Sequence, residues 1–568
     1  MIDYSLYLVT SSEDLPAGAT VESTVREAVR AGVKIVQLRE KNLSTKLFLE
    51  RAKALREICQ PPVKLIINDR IDIAHASNAD GVHLGQDDMP LLDAQNIFRV
   101  QEIIGISVNT VEEAVAAVRT GASYLGVGTC WPTGTKSIPE HKIIGPRGIK
   151  TIRDELDRLG LSVPLVAIGG INATNLIRTL YGCTSNHLYT DRYAESPIGV
   201  AVVSAIMKSP DPYQSTQTLK NMIQEFKGWL RAPAEPFSNP QVKIQLKLAV
   251  AMMKFHSKTS TPLIHHITNT VVQNDCANLT LAYGCSPIMS SNLNEMEDLV
   301  NLTTGSLVLN LGTFDDNQVR AMKLAGRQAN LTGKPVIFDP VGVGASRERK
   351  KKANEILNAV QMSVIKGNQA EIASLARFNS NGVSSCGVDS SGEVEEPALL
   401  VKHLARQELC VVVMTGKTDW VSDGTHVFRL NNGVSELSGI TGSGCMTGTS
   451  IGCFASLAQQ EVVKDTHSGL LRNLKNIHHD FGETLLASIL GISTINVVAE
   501  MVHQVEHEKL EHGPMNLKIK IMDRISLSRQ IEPFWQAIHA DIKLSSDFFH
   551  DDVAHHDEAS SNGATRTE

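Results

Sequence analysis

The sequence has no surplus of positive charge, no long apolar run and no paired cysteine motif. Its 568 residues include 54 Lys and Arg against 61 Asp and Glu, whereas a general nucleic-acid-binding protein would show a basic excess. No run of 18 apolar residues occurs and the start, MIDYSLYLVT, lacks a basic segment, so we expect neither a membrane span nor a signal peptide. The nine cysteines form no CxxC pair, which indicates reduced thiols in a cytoplasmic protein rather than disulfides or a zinc site.

The chain is too long for a single hydrophobic core, so several domains are expected. The stretch RAPAEPFSNP at 231–240 interrupts the pattern and predicts a linker. We therefore predict one domain with its linker at 1–235, a second at 241–545 and a polar, disordered tail at 546–568.

Short apolar runs alternate with helix-compatible segments throughout the first two hundred residues. This alternation predicts an α/β fold with a parallel (β/α)8 TIM barrel, and a doubly wound open sheet is the competing topology. The eight predicted strands are 5–10, 34–39, 64–69, 81–84, 103–108, 124–128, 164–170 and 200–205.

Polar residues follow the predicted barrel strands, at the edge where barrel enzymes carry their chemistry. Carboxylates suit Mg²⁺, Arg and Lys suit phosphate oxygens, and glycine turns let backbone N–H groups approach a phosphate. The set predicts a diphosphate site with Mg²⁺. It comprises 37–41 (QLREK), Asn68, Asp69, 86–88 (QDD), Ser107, 132–137 (PTGTKS), Gly169, Gly170 and Ser204.

The ordered motifs QLREK, IINDR, GVHLGQDDMP, GISVNT, GTCWPTGTK and VAIGGI resemble the thiamine-phosphate synthase family over residues 5–208. The resemblance implies that a pyrimidine diphosphate is joined to a thiazole phosphate after diphosphate leaves, with Mg²⁺ held by Asp69 and Asp88. It implies that the pyrimidine diphosphate is bound by Gln37, Arg39, Glu40, Lys41, Asn68, Ser107 and Lys136. It implies that the thiazole phosphate is bound by Thr133, Gly134, Thr135, Gly170, Val203 and Ser204. The loop at 181–199 is longer than the family pattern.

The second half contains a glycine-rich turn, SGITGSGCMTG at 438–448, but no Walker A motif. A helix starting near Gly442 would offer free N–H groups to a phosphate and would place Cys445 in its first turn. A small thiolate population and a hydrogen-bonding thiol both stay open, as does simple packing of Cys445. Strands at 306–313, 334–340, 363–368 and 410–416 and a hairpin at 419–430 predict a second α/β fold.

Motifs at 265–290, LVLNLGT, IFDPVGVGAS, IKGNQAEI, MTGKTD and TGSGC resemble the hydroxyethylthiazole kinase family, which has a ribokinase-like α/β fold. The resemblance implies that ATP phosphorylates the thiazole alcohol, with Cys445 near the reacting hydroxyl as the catalytic residue. Asn269, Met289 and Gly442 would contact the thiazole. Lys366 and Thr415 would contact ATP, and Asp339 and Glu371 would organise Mg²⁺. The kinase family forms trimers, so we expect a homo-oligomer built on kinase trimers.

Three features depart from the kinase pattern or interrupt it. Lys366 stands where the family commonly has arginine, and a lysine lacks the two-pronged guanidinium. Residues 378–397 and 459–481 are interpreted as insertions.

His265 and His266 are interpreted as packing or hydrogen-bonding residues.

Together the two halves predict a bifunctional enzyme of thiamine biosynthesis that acts on small molecules, without nucleic acid or membrane. The kinase would make the thiazole phosphate that the synthase consumes. Two alternatives stay open: a thiazole tautomerase on the same barrel, and a non-catalytic sensor of thiamine precursors. The Asp69 and Asp88 pair and the TGTK motif argue against the tautomerase.

Overall fold

The structure is a computed structural model, and it contains a closed barrel followed by a second, open sheet. It describes residues 2–97, 103–134, 142–184, 198–230, 240–256, 261–376, 396–456, 470, 482–506, 513–528 and 542–544. Residues 231–239 of the predicted linker at 231–240, the predicted tail at 546–568 and most of the three interpreted insertions lie outside these residues, and Pro240 of the linker begins a helix.

Eight parallel strands pair in sequence order, and the eighth pairs with the first to close the barrel. The predicted (β/α)8 barrel is confirmed, and the open sheet is excluded. The strands are β1 Leu6–Val9, β2 Ile35–Leu38, β3 Lys64–Asn68, β4 Gly81–Leu84, β5 Ile103–Val108, β6 Tyr124–Gly128, β7 Leu165–Ile168 and β8 Gly199–Val202.

Helices surround the barrel and are bounded by local signals in the sequence. In α1 a capping box formed by Thr20 and Ser23 opens the helix, and Gly32 ends it with a φ of 113°, which favours glycine. The helices are α1 Val21–Ala31, α2 Thr45–Ile58, α3 Ile71–Ala76, α4 Leu91–Ile97, α5 Val111–Thr120, α6 Gly145–Arg158, α7 Leu176–Gly182, α8 Ser204–Met207 and α9 Pro212–Leu230.

The barrel interior is filled by side chains and is not a channel. Its buried apolar cluster includes Tyr7, Ile35, Ile66, Tyr124 and Val166. A second, larger layer of apolar side chains lies between the strands and the helices. Both faces of each strand are therefore buried, which explains why the strands read as short continuous apolar runs.

The second sheet has nine strands in the order β10-β9-β11-β12-β13-β14-β15-β16-β17. The first six in this order are parallel, and the last three are added antiparallel. The predicted hairpin is confirmed as β15 and β16. The strands are β9 Leu263–Ile267, β10 Ser286–Met289, β11 Leu307–Asn310, β12 Val336–Asp339, β13 Val364–Asn368, β14 Val411–Thr415, β15 Asp419–Ser422, β16 Val427–Leu430 and β17 Ile542–Leu544.

Helices cover both faces of this sheet, and one of them is long and apolar enough to cross a membrane. That helix, α18, has a mean hydropathy of 1.8 over 483–504, yet 83% of the window is buried inside the fold, so it is a core helix. The helices are α10 Pro240–His256, α11 Gln273–Ala282, α12 Met296–Leu302, α13 Asp316–Thr332, α14 Arg347–Ala359, α15 Gln369–Ala376, α16 Pro397–Glu408, α17 Ser443–Ala455, α18 Glu483–Glu506 and α19 Pro514–Ser528.

The two folds meet through α6 and α7 of the barrel and the ends of α14 and α16. Arg147 Nη2 donates to Glu408 Oε1 at 2.6 Å, and both side chains are less than 10% exposed. The Tyr181 hydroxyl donates to the Leu409 carbonyl at 2.5 Å, and Arg178 Nη2 donates to the Leu357 carbonyl at 3.0 Å. The contact is thus buried and specific.

Removing one partner of this contact measures how much it contributes to the stability of the folded chain. Glu408→Ala is expected to lower the free energy of unfolding by about 3 kcal/mol, because the buried charge of Arg147 would lose its partner. Arg158→Ala, on the helix α6 that also carries Arg147, is the control. It removes an ion pair whose arginine is 61% exposed, and it should change the free energy of unfolding by less than about 0.5 kcal/mol. Urea unfolding followed by circular dichroism measures both, and equal effects would contradict the interpretation.

Candidate functional site

Two acidic side chains meet at the mouth of the barrel, where β3 and β4 end. Asp69 has a left-handed φ of 63°, which is unusual for a residue other than glycine and is typical of constrained functional positions. Burial and a hydrogen bond with Asp88 raise the pKa of Asp69 to about 6, while Lys41 and Arg39 oppose the shift. Two carboxyl groups this close repel when both are ionised, and a cation between them would remove the repulsion.

The charged residues predicted after β2 divide into two groups. Arg39 and Lys41 are close enough to Asp69 to affect its pKa, so they belong to the mouth. Glu40 does not: its carboxylate accepts from Arg51 Nη1 at 2.7 Å and from the Ser12 hydroxyl at 2.6 Å. The structure therefore gives Glu40 a supporting contact beside the mouth, where the resemblance implied a substrate contact.

A chain of four hydrogen bonds runs through the barrel interior from Gln37 to Ser107. Gln37 Nε2 donates to the Tyr7 hydroxyl at 2.9 Å, and the Tyr7 and Tyr124 hydroxyls are 2.8 Å apart. His83 continues it with Nδ1 at 2.8 Å from the Tyr124 hydroxyl and Nε2 at 2.8 Å from Ser107 Oγ. Burial lowers the pKa of His83 to about 4, so its ring is neutral and can both donate and accept.

Glycines shape the loop after β7. Gly169 and Gly170 have φ values of 106° and 63°, and a Cβ on Gly170 would lie 2.4 Å from the Pro132 carbonyl oxygen. Only glycine fits this turn, which brings its backbone close to the loop carrying Thr133 and Gly134. Val203 and Ser204 are half-buried where β8 passes into α8. Thr135 and Lys136 lie outside the described residues, and Asn68 ends β3 at the mouth.

In the second domain, the glycine-rich turn opens α17 as the sequence predicts. Gly442 precedes the helix with a φ of 85°, and a Cβ there would lie 2.3 Å from Val272 Cγ1. Cys445 lies in the first turn and its sulfur accepts from Asn310 Nδ2 at 3.2 Å and from Asn269 Nδ2 at 3.6 Å. Burial and Asp339 raise the pKa of Cys445 to about 11. The thiolate considered in the sequence interpretation is therefore disfavoured, and the hydrogen-bonding thiol is favoured.

A buried pair of opposite charges lies beside Cys445. Lys366 Nζ is 3.4 Å from both carboxylate oxygens of Asp339, and both residues are almost fully buried. Burial raises the pKa of Asp339 to about 6 in spite of Lys366. Burial opposes the charged form of Lys366, but Asp339 and Glu371 outweigh it and raise the pKa. Lys366 therefore carries a positive charge next to the start of α17. A Cβ on Gly444, in the first turn of that helix, would lie 3.0 Å from its Nζ atom.

The other predicted kinase residues lie at the ends of β10 and β14 and in α15, directly after β13. Glu371 accepts from the backbone N–H groups of Gly342 and Asn368, both at 2.8 Å. Met289 ends β10 and is half-buried, and Thr415 ends β14 with its hydroxyl 3.4 Å from the Gly367 carbonyl. These positions line the same sheet edge as Asp339.

His265 and His266 are buried hydrogen-bonding residues, as interpreted. Their Nε2 atoms lie 2.9 Å from the Ser290 carbonyl and 3.2 Å from the Thr280 hydroxyl. Burial lowers the pKa of both rings, so both are neutral.

Sequence reasoning missed residues that connect the predicted ones. Asn310 joins Asn269, Cys445 and Asp339, donating to Asp339 Oδ2 at 3.0 Å. His83 joins Ser107 to the barrel interior. A polar residue inside or at the end of an otherwise apolar strand, as in LVLN and GVHL, was the available signal.

Comparison with known proteins assigns both halves. The Thiamine monophosphate synthase family matches residues 6–206, and the Hydroxyethylthiazole kinase family matches residues 254–474. A "Probable thiamine biosynthetic bifunctional enzyme" of Schizosaccharomyces pombe is 40% identical over 463 residues, which cover 81% of this chain and 86% of that protein. The "Thiamine biosynthetic bifunctional enzyme" of Saccharomyces cerevisiae is 36% identical over 483 residues, 80% of this chain and 86% of that protein.

A single-domain relative matches the second half alone. The "Hydroxyethylthiazole kinase" of Clostridioides difficile is 42% identical over 226 residues, which cover 39% of this chain and 85% of that protein. Because one sequence carries both matched regions on a barrel and a mixed sheet, and because the two fungal proteins align along most of their length, this chain belongs to the family of bifunctional thiamine biosynthetic enzymes, with a thiamine-phosphate synthase domain followed by a hydroxyethylthiazole kinase domain.

Proposed function

We propose that the barrel mouth performs the synthase reaction by charge stabilisation of a leaving diphosphate, without a protein nucleophile. The observation that carries this proposal is the meeting of Asp69 and Asp88 beside Arg39 and Lys41. Arg39 and Lys41 bind phosphate oxygens, and Gln37 and Ser107 orient the pyrimidine through the buried hydrogen-bond chain. The turn at Gly170, together with Ser204, binds the thiazole phosphate and keeps its ring nitrogen next to the carbon that the diphosphate leaves.

Mg²⁺ is proposed as the cation of both sites. Asp69 and Asp88 in the barrel, and Asp339 and Glu371 in the kinase, are the oxygen ligands that such an ion prefers. Among the described residues no three His, Cys, Asp or Glu side chains form a metal site by themselves, so phosphate oxygens of the substrate would complete the coordination. When bound, the ion neutralises charge on the phosphate groups.

In the kinase domain, the start of α17 is proposed to hold the phosphoryl group that moves from ATP to the thiazole alcohol. Its free N–H groups and partial positive charge stabilise the transferred group. Lys366 and Thr415 bind ATP oxygens. Asn269, Met289 and Gly442 surround the thiazole. Cys445 remains protonated and positions the hydroxyl group, because its raised pKa makes it a poor base at neutral pH.

We also propose a cytoplasmic homo-oligomer. The eight cysteines that the structure describes form no disulfide with one another, as expected in a reducing compartment. Val271, two residues from Asn269 in the kinase site, is 63% exposed, and a neighbouring subunit at that edge would cover it. Light scattering after gel filtration measures the mass, and a monomer would contradict the oligomer.

A single assay tests the overall function. The purified chain is incubated with the pyrimidine diphosphate, the thiazole alcohol, ATP and Mg²⁺, and thiamine phosphate is measured. Product is expected, and it is expected to depend on ATP unless thiazole phosphate is supplied. Product formed only from supplied thiazole phosphate would contradict the kinase, and no product from either substrate would support the sensor alternative.

Asp69→Asn tests the acidic pair. Synthase kcat is expected to fall by about a hundredfold or more, because an amide cannot neutralise the cation, while kinase activity stays unchanged. Asp72→Asn is the control: that carboxylate is exposed and already paired with Arg70. Steady-state kinetics of both half-reactions give the comparison, and an active Asp69→Asn synthase would refute the proposed metal site.

Cys445→Ala and Cys445→Ser separate positioning from base catalysis. We expect kinase kcat to fall in Cys445→Ala and to recover in part in Cys445→Ser, since serine restores a hydrogen-bonding group. Cys453→Ala, on the same helix and fully buried, controls for loss of a thiol. Synthase activity should not change in any variant. A serine variant as inactive as alanine would argue for a specific need for sulfur.

The pH dependence of the kinase should follow Asp339. Its pKa is raised to about 6, so the carboxylate ionises as pH rises through that value and is protonated below it. Kinase kcat/KM at limiting Mg²⁺ is therefore expected to decline below about pH 6 and to be flat up to pH 8, where Cys445 is still protonated. A rising limb between pH 7 and 9 would instead indicate a titrating thiol.

A further inference from the structure

A cavity of about 380 Å³ lies between the two domains, beside the loop that carries Gly170. From the barrel it is lined by the β6 and β7 loops and the start of α7, and from the kinase by the ends of α13 and α14. Gly170 and Pro132 are among its lining residues, whereas Asp69, Asp88, Val203 and Ser204 are not, so the cavity adjoins the thiazole-phosphate side of the barrel mouth without including the acidic pair. It is separate from the kinase site, because the ends of α13 and α14 lead into the amino ends of β12 and β13.

Among the residues that the structure describes, the charged side chains that line this cavity are both arginines, and none of its described lining residues is Asp or Glu. Arg178 is 7% exposed, and its Nε atom has no hydrogen-bond partner among the described residues. Its one described hydrogen bond is from Nη2 to the Leu357 carbonyl. Glu408, the acidic group that acts on Arg178, is already paired with Arg147.

Arg327 supplies the second positive charge, on the kinase side. The residue is exposed to solvent, yet packing around the guanidinium lowers its pKa. No described residue forms an ion pair or hydrogen bond with it. The carboxylate that acts on Arg178 is shared with Arg147, so an anion with several acceptor oxygens would add a counter-charge and hydrogen-bond acceptors for both guanidinium groups.

We propose that this inter-domain cavity binds the phosphate group of a small phosphorylated molecule, held between Arg178 and Arg327. Guanidinium groups match phosphate oxygens in geometry, and Asn172, Thr174 and Trp131 at the same wall offer polar and aromatic surface to the remainder of the ligand. Because Gly170, which the proposed synthase mechanism gives to the thiazole phosphate, lines this cavity, an occupant would contact that loop of the synthase from the kinase side.

Calorimetric titration of the full chain tests the site, with inorganic phosphate, diphosphate and thiamine phosphate as three separate probes. We expect binding of at least one probe that Arg327→Ala weakens by about tenfold or more, the usual effect of removing a charged hydrogen-bond partner. Arg320→Ala, an exposed arginine two turns earlier on α13, should bind as the unaltered chain does. Which probe binds most tightly distinguishes free phosphate from a phosphate ester.

The choice of Arg327 distinguishes binding of a probe in this cavity from binding of the same probe at either active site. Arg327 belongs to neither proposed site, so both half-reactions should keep their kcat in Arg327→Ala. A second measurement does not depend on any variant: crystals of the unaltered chain soaked in phosphate should show the anion within hydrogen-bonding distance of Arg178 and Arg327. Equal affinity of Arg327→Ala and the unaltered chain for every probe, or an empty cavity in the soaked crystals, would overturn the proposal.

Discussion

Parallel strand pairing is the constraint on which both sites depend. In the barrel and in the larger part of the second sheet, every strand runs in the same direction, so all carboxyl ends meet at one edge. Residues far apart in sequence are thereby brought together without long loops: Asp69 with Asp88, and Asn269 with Asn310 and Asp339. The helices and apolar clusters hold the strands in this arrangement, and the loops supply the chemistry.

Both sites place acidic groups where the protein alone does not neutralise them well. Asp69 lies against Asp88 with a strained backbone, and Asp339 is buried to 1% exposure with a single lysine 3.4 Å away. In each case the pKa is raised to about 6, which means that ionisation is resisted in the ligand-free molecule. A cation arriving with a polyphosphate substrate would reverse this, so these sites are arranged for the charge of the bound complex rather than for stability of the free one.

The sequence predicted the features that depend on local signals and on strand periodicity. The eight barrel strands, the hairpin at Asp423–Gly424 and the position of Cys445 in a first helical turn all follow from such signals. It did not predict that Glu40 pairs with Arg51, that Asn310 links Cys445 to Asp339, or that Cys445 is buried enough to resist ionisation. These depend on which side chain faces which after folding, and neither spacing nor composition contains that information.

The contact between the domains also determines how the two reactions can be related. The barrel rests on the ends of α14 and α16, just before the amino ends of β13 and β14. The proposed kinase site lies at the carboxyl ends of the same strands, one strand length away, or about 17 Å for five residues. The proposed kinase site is therefore at the edge of the sheet that faces away from the contact with the barrel.

A direct passage between the two sites of one chain would have to cross the sheet, whose faces are filled by buried apolar side chains. Joining the domains in one chain gives equal numbers of the two domains and a fixed contact between them. The arginine-lined cavity lies in that contact, where a phosphorylated molecule would touch both enzymes at once.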